Sequence, residues 1–129
     1  MLVATQTAAI SKKGLWVGRI ISGWVVLFLL FDGVVKVLQM APALEGTARL
    51  GYPMSLVLPI GIVELLCVIV YVIPRTSVLG AILLTGYLGG ATATQVRLAD
   101  PWFVFPVAVG VLVWAGLLLR DARLRSLVR

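Results

Sequence analysis

The sequence of 129 residues contains no histidine and only one cysteine, Cys67. Without histidine, the chain cannot build a bis-histidine haem site or a histidine-ligated zinc site, and it has no imidazole general base. A single cysteine excludes an internal disulfide, a CxxC redox pair and a thiolate zinc cage. We therefore expect no metal site, and we interpret Cys67 as a small packing residue within a helix.

Charge is also scarce. Charged residues make up 12% of the chain, whereas hydrophobic residues make up 61% and the mean hydropathy is +1.11. A soluble domain is typically about 45–50% apolar and about 25% charged. The apolar excess is too large for a water-exposed surface. The composition therefore predicts an integral membrane protein whose main partner is the lipid bilayer, and the length predicts one domain.

Four apolar stretches are long enough, at about 1.5 Å per helical residue, to cross about 30 Å of hydrocarbon. We predict an all-α membrane protein that forms a four-transmembrane-helix bundle over residues 15–119. The predicted spans cover residues 15–38, 53–73, 78–96 and 102–119. Residues 1–14 would form a cytoplasmic N-terminal segment, and residues 120–129 a basic cytoplasmic tail.

The basic residues predict the orientation. The net charge is +6, from eleven basic and five acidic residues. With both termini in the cytoplasm, eight basic residues lie inside and three outside, in agreement with the positive-inside bias. The inside set is Lys12, Lys13, Arg19, Arg75, Arg120, Arg123, Arg125 and Arg129, and the outside set is Lys36, Arg49 and Arg97. No aromatic residues alternate with the C-terminal arginines, so we expect no nucleic-acid partner.

Ionisable residues inside the predicted spans are the unusual feature of this sequence. Asp32 and Lys36 are four residues apart, so on a helix their side chains share one face and can touch. A carboxylate at bilayer depth costs about 2.5–3.5 kcal/mol on insertion scales. Glu64 is the deepest acid and has no basic residue nearby in sequence.

The predicted topology places these groups at similar depths. Asp32 lies about 9 Å and Glu64 about 16 Å from the outer ends of their helices, and the last turns of the third span lie at the same end. The predicted ligand-binding or buried polar cluster is Asp32, Lys36, Glu64, Thr94, Gln95 and Arg97. Two alternatives stay open, because such a cluster either fixes helix register or lines a functional pocket.

The third span is rich in small residues. Gly86 and Gly90 form a GxxxG step that Thr94 continues at the same spacing, and this pattern lets helix backbones approach closely in a bilayer. We assign Gly86 and Gly90 to helix packing. Contact within the bundle is the favoured alternative, and a seam between two copies in a homo-oligomer is the other.

Several segments carry a family resemblance. They are DGVVK at 32–36, LGYP at 50–53, IGIVEL at 60–65, IPRT at 73–76, LGAILLTGYLGGA at 79–91 and WAGL at 114–117. From about residue 15 to residue 125 the chain resembles the DoxX-like family of small bacterial membrane proteins. The resemblance implies a four-helix, multi-pass protein of the bacterial inner membrane, and it associates the chain with quinone-linked redox systems.

The resemblance and the polar cluster together lead to an expected function. We expect an accessory or binding subunit that holds a quinone-like or other apolar small molecule near the cluster and partners a membrane-associated redox enzyme. The alternative is a small proton-coupled transporter that uses Glu64. An independent enzyme is not favoured, because the chain offers no redox cysteine pair, histidine base or phosphate loop, and we assign no catalytic residue.

Overall fold

The computed structural model describes residues 12–127, and these residues form helices joined by short connections. The helices are α1 (Lys12–Val37), α2 (Ala41–Arg49), α3 (Val57–Val72), α4 (Ser77–Arg97), α5 (Val104–Arg120) and α6 (Ala122–Leu127). A 3₁₀ turn that follows or begins with proline precedes each of α3, α4 and α5. Proline suits these positions because its fixed φ favours a helix start and its missing N–H is not needed there.

Four helices in the described part of the chain are long and apolar enough to cross a membrane. With their leading 3₁₀ turns they cover Lys12–Val37, Met54–Val72, Pro74–Arg97 and Pro101–Arg120. Large apolar side chains remain on their outward faces, among them Leu27 at 70% and Phe31 at 71% exposed, as expected where lipid is the solvent. The predicted all-α, four-span membrane fold is confirmed.

The flanking segments and the orientation stay predictions. The segment predicted over residues 1–14 lies almost wholly outside the described residues, and α1 already begins at Lys12. The predicted basic tail contains α6, whose Leu124 is buried against the bundle. Four crossings place both ends of the described chain on one side of the membrane, and the cytoplasm remains the predicted side.

The four long helices form a ring in which α1 and α4 each pack against α3 and α5. Side chains from all four fill the centre. The most buried of these apolar residues are Val25, Leu29, Val68, Tyr71, Ala81, Leu84, Val113 and Leu117. Cys67 belongs to the same core, 7% exposed. Lipid is as apolar as these side chains, so close van der Waals packing rather than exclusion from water holds such a core together.

Glycine pairs let α1 approach its neighbours. A Cβ added at Gly61 would lie 2.7 Å from Lys36 Cβ and 3.1 Å from Gly33 O, and one added at Gly116 would lie 3.2 Å from Gly18 O. Small residues at membrane helix interfaces permit such backbone contact. The contact between Gly33 and Gly61 positions the functional site, because it brings Lys36 beside the turn of α3 that follows Gly61.

Gly86 and Gly90 do not take this role. A Cβ added at either glycine would meet no atom within 4 Å, and both residues are exposed. They face an open cavity instead of a neighbouring helix. The favoured prediction, packing of this GxxxG step within the bundle, is therefore wrong for the described chain. A seam between two copies stays a prediction.

Helix α2 folds back over one end of the bundle and contacts α1 and α3. Left-handed residues stand on both sides of it, Gln39 with φ 54° and Gly51 with φ 90°. Glycine adopts this conformation without steric cost, whereas it is uncommon for glutamine. The two turns place α2 beside the space between α1 and α4, where the candidate site lies.

Candidate functional site

Lys36 is the centre of a four-residue network that joins α1, α3 and α4. Its Nζ donates to Asp32 Oδ2 at 2.7 Å, to Glu64 Oε1 at 3.1 Å and to Tyr87 Oη at 2.7 Å. Tyr87 Oη in turn donates to Glu64 Oε1 at 2.9 Å. We call Asp32, Lys36, Glu64 and Tyr87 the Lys36 network.

Each helix contributes to the network for a local reason. Asp32 and Lys36 are i and i+4 on α1, so they share the face that Gly33 opens toward α3. Glu64 lies one turn after Gly61, where the two backbones approach most closely. Tyr87 reaches across from α4, where its hydroxyl both accepts from Lys36 and donates to Glu64.

Burial differs across the network. The side chain of Glu64 is 0% exposed, that of Lys36 17% and that of Asp32 41%. Among residues 12–127, Glu64 Oε2 is the only buried side-chain nitrogen or oxygen without a hydrogen-bond partner. An unsatisfied buried polar atom costs about 1–3 kcal/mol, more when it is charged. Such an atom in a native structure calls for an explanation, and a functional role is one of the recognised explanations.

Two adjoining cavities meet at the network. The larger, of about 640 Å³, extends toward α2, and the smaller, of about 450 Å³, extends between α1, α4 and α5. Both are lined by Asp32, Lys36, Tyr87, Ala91, Gln95 and Trp102, and Glu64 lines the smaller one. The rest of the lining is mainly apolar and includes Leu50, Leu56 and Ile60 in the larger cavity and Phe28, Phe105 and Val109 in the smaller one.

The structure brings three of the six predicted site residues into direct contact, Asp32, Lys36 and Glu64. Gln95 lines both cavities, four residues after Ala91 on α4. Thr94 also lines the larger cavity, but its hydroxyl is engaged elsewhere. It lies 2.8 Å from Tyr52 Oη and donates to Gly90 O at 2.9 Å.

Arg97 does not join the network. It is exposed and lines neither cavity, and its Nη2 lies near the Gly51 turn, 3.7 Å from the position of a Cβ added to that glycine. It follows Thr94 by three residues and is the last residue of α4. The structure therefore does not bring Arg97 together with Asp32 and Glu64, contrary to the prediction from the sequence.

Sequence reasoning missed Tyr87, which makes two hydrogen bonds in the network, as many as Glu64 and one more than Asp32. Tyrosine in a membrane protein is commonly an interfacial residue, so its presence alone does not indicate a buried site. The useful observation is spacing, because Tyr87, Ala91 and Thr94 are i, i+4 and i+7 on one face of α4. A tyrosine on the face that also carries a predicted polar residue is a candidate for the same cluster.

The family model described as DoxX-like family matches residues 20–116, which cover most of the chain and include the whole Lys36 network. The chain belongs to the DoxX-like family. Neither the comparison with curated proteins nor the comparison with solved structures gave a significant match. The assignment of this DoxX-like protein to its family therefore rests on the family model.

A second polar cluster lies at the opposite end of the DoxX-like bundle. Tyr71 Oη donates to Val113 O at 2.8 Å and lies 3.1 Å from Ser22 Oγ, while Arg120 Nε donates to Ser22 Oγ at 2.9 Å. The Arg120 guanidinium lies 5.2 Å from the Tyr71 ring centroid, close enough for a cation–π contact. This cluster ties α1, α3 and α5 together.

The two clusters differ in what they offer a ligand. Within residues 12–127 no group of three or more His, Cys, Asp or Glu side chains is placed to hold a metal ion. The Lys36 network instead offers two carboxylates, an ammonium and a phenol beside open space. These groups bind through hydrogen bonds and charge, so the network is the candidate site.

Proposed function

We propose that this DoxX-like protein is a membrane binding subunit that holds a quinone-like or other apolar small molecule beside the Lys36 network. One observation carries the proposal. A charged network with an unpartnered carboxylate oxygen stands in the wall of a cavity that is otherwise largely apolar. Small-molecule sites of about 300–1,000 Å³ typically combine an apolar wall with a few polar groups that fix orientation.

The cavity mouth supports a lipid-soluble ligand. Trp102 and Phe105 line the smaller cavity and are 68% and 44% exposed on the outer surface of the bundle. In a bilayer that surface meets acyl chains or the head-group boundary, where aromatic side chains are common. A molecule dissolved in the membrane would reach the network from there without crossing water.

The redox association and the location are part of the same proposal. The DoxX-like resemblance suggests a quinone as the bound molecule and a membrane-associated redox enzyme as the partner, in a bacterial inner membrane with both termini in the cytoplasm. The Lys36 network would then orient the ligand, and the partner enzyme would supply the electron transfer.

A small proton-coupled transporter is the second candidate. It is favoured by Glu64, which is fully buried and keeps one oxygen without a partner. A transporter requires flux that responds to a proton gradient in reconstituted vesicles, and that flux should be lost in Glu64→Gln. Binding without flux would support the first candidate.

The first test is to identify what the protein carries from the membrane. We expect native mass spectrometry of the purified protein, followed by extraction, to show a bound apolar molecule distinct from bulk phospholipid. The matched variants are Ala91→Phe and Gly89→Phe, two neighbouring positions on α4. Ala91 lines both cavities, whereas Gly89 lines neither of them and has no atom within 4 Å of an added Cβ.

The pair separates binding in the cavity from general lipid adhesion. Ala91→Phe places a ring where the two cavities adjoin and should displace the molecule, whereas Gly89→Phe should retain it. Equal retention in both variants, or a protein that carries only bulk lipid, would contradict the proposed function.

A further inference from the structure

Every hydrogen-bond donor of the Lys36 network is used within the network. An ammonium has three N–H groups, and those of Lys36 reach Asp32, Glu64 and Tyr87. Tyr87 has one O–H, and it reaches Glu64. The network therefore has no donor left for a ligand unless one of these contacts breaks.

What remains open is acceptor capacity. Glu64 Oε2 is buried and has no donor, and Asp32 receives a bond from Lys36 at Oδ2 only. A carboxylate has about four lone-pair sites on its two oxygens, so both acids can accept more. The network also contains two carboxylates and only one ammonium, so the excess of acceptors comes with an excess of negative charge.

We infer that the ligand of the smaller cavity, which both Glu64 and Asp32 line, is an apolar molecule that presents an O–H or N–H donor to these two carboxylates. This inference rests on the proposed function and narrows it. Among quinone-like molecules the site favours the hydroquinone, whose hydroxyls donate, over the quinone, whose carbonyls only accept. A lipophilic amine has the same donor chemistry and adds a positive charge.

Glu64 lines only the smaller cavity, and the other polar groups of that cavity do not reverse this preference. The donor side chains of Arg49 and Tyr52 line the larger cavity alone. The Gln95 side chain carries both a donor and an acceptor, so it can pair with either form of a ligand. Trp102 offers a donor, but it stands at the exposed mouth, 68% exposed. Glu64, at the buried end of the cavity, is therefore the residue that distinguishes the two forms.

Glu64→Gln should invert the preference. The position of Oε1 receives bonds from Lys36 and Tyr87, so the amide oxygen should stay there. The amide NH₂ then replaces Oε2 and turns the open acceptor into a donor. The matched control is Glu45→Gln, the same substitution at an exposed residue of α2 that lines neither cavity.

The experiment compares three probes of similar shape. Tetramethylhydroquinone, its dimethyl ether and tetramethylbenzoquinone are titrated anaerobically into the protein in lipid nanodiscs, with binding followed by calorimetry. We expect the wild-type protein and Glu45→Gln to bind the hydroquinone about tenfold more tightly than the other two, because each of those leaves the buried acceptor of Glu64 unpaired. Glu64→Gln should bind the quinone more tightly than the hydroquinone.

A fourth probe, a benzylamine with the same methyl groups, separates the two donor classes. Tighter binding of the amine identifies a cationic donor, and tighter binding of the hydroquinone identifies a neutral hydroxyl. Either result supports the inference. If Glu64→Gln does not fold, Asp32→Asn replaces it, since Asp32 is partly exposed and should lose part of the hydroquinone preference.

Two failures are distinguishable. Equal affinity for the hydroquinone, ether and quinone, or a preference for the quinone in the wild-type protein, would overturn the donor inference and leave the proposed binding function in place. Absence of binding for all four probes, together with no apolar molecule in the purified protein, would contradict the proposed function itself.

Discussion

Replacing Lys36 with methionine tests whether the Lys36 network stabilises the bundle as one unit. The substitution keeps a long apolar stem and removes the ammonium that contacts Asp32, Glu64 and Tyr87 at 2.7, 3.1 and 2.7 Å. Glu64 then keeps only the hydroxyl of Tyr87 as a donor. We therefore expect most of the lost stability to come from Glu64, because its fully buried carboxylate would no longer have a positive partner.

The structure sets the size of the effect. Removing one partner of a buried charge pair costs about 3–5 kcal/mol, because the other charge is left uncompensated. Asp32 is 41% exposed and can be hydrated, so its pair with Lys36 adds little. We expect Lys36→Met to lower the free energy of unfolding by about 3 kcal/mol, or about 150-fold in the folding equilibrium constant.

The assay is reversible unfolding in mixed micelles, followed by circular dichroism. Lys13→Met is the matched control, since Lys13 is an exposed lysine of the same helix and should change stability by less than about 0.5 kcal/mol. The double variant Lys36→Met with Glu64→Gln removes both charges. It should be more stable than Lys36→Met alone, with an interaction energy of about 0.5–3 kcal/mol in the double-mutant cycle.

Two results would refute this reasoning. If Lys36→Met were as stable as Lys13→Met, the ammonium would not compensate the buried carboxylate. If Glu64→Gln added its own loss in full to that of Lys36→Met, the two residues would be energetically independent in spite of their contact.

Two further predictions concern packing and the edge of the cavity. Gly80→Ala should destabilise the bundle by about 1–3 kcal/mol, because its Cβ would clash with the backbone N and Cα of Tyr71. Gly89→Ala on the same helix has open space and should be neutral or stabilising by up to about 1 kcal/mol, and equal melting temperatures of the two variants would contradict this prediction. Tyr52→Phe should remove its hydrogen bond to Thr94, worth about 0.5–1.5 kcal/mol, and raise hydrogen exchange in α2 without changing α3–α5, so exchange that stays unchanged in α2 would show that this bond does not hold it.

The fold was predictable because its determinants are long and redundant. Four apolar runs, with prolines at three helix starts, define the spans whatever the details of packing. The pair of Asp32 and Lys36 was predictable for a similar reason, since helix periodicity alone puts both side chains on one face. Glu64 was identified by the cost of placing a carboxylate deep in a bilayer.

The sequence does not predict which way each helix is rotated about its own axis, because counting residues gives only the depth of a side chain in the membrane. Counting residues gives the level of Arg97 in the bundle, but its side chain is exposed and lies apart from the cavity. The same limitation applies to Gly86 and Gly90, because a GxxxG pattern indicates a helix face of small residues but not whether another helix packs against that face. Tyr87 was missed because a phenol is compatible with either an interface or a buried network.

The central core of the bundle limits how solutes can move through it. Ser22 and Asp32 are ten residues apart on α1, about 15 Å along the helix axis, and the side chains between their levels include Val25, Leu29 and Val68, none more than 2% exposed. Apart from Cys67, the buried side chains at this level of the described chain are apolar, so they form no chain of polar groups along which a proton or an ion could move. In this conformation both cavities end at this core, so a guest molecule must leave from the same end of the bundle at which it entered.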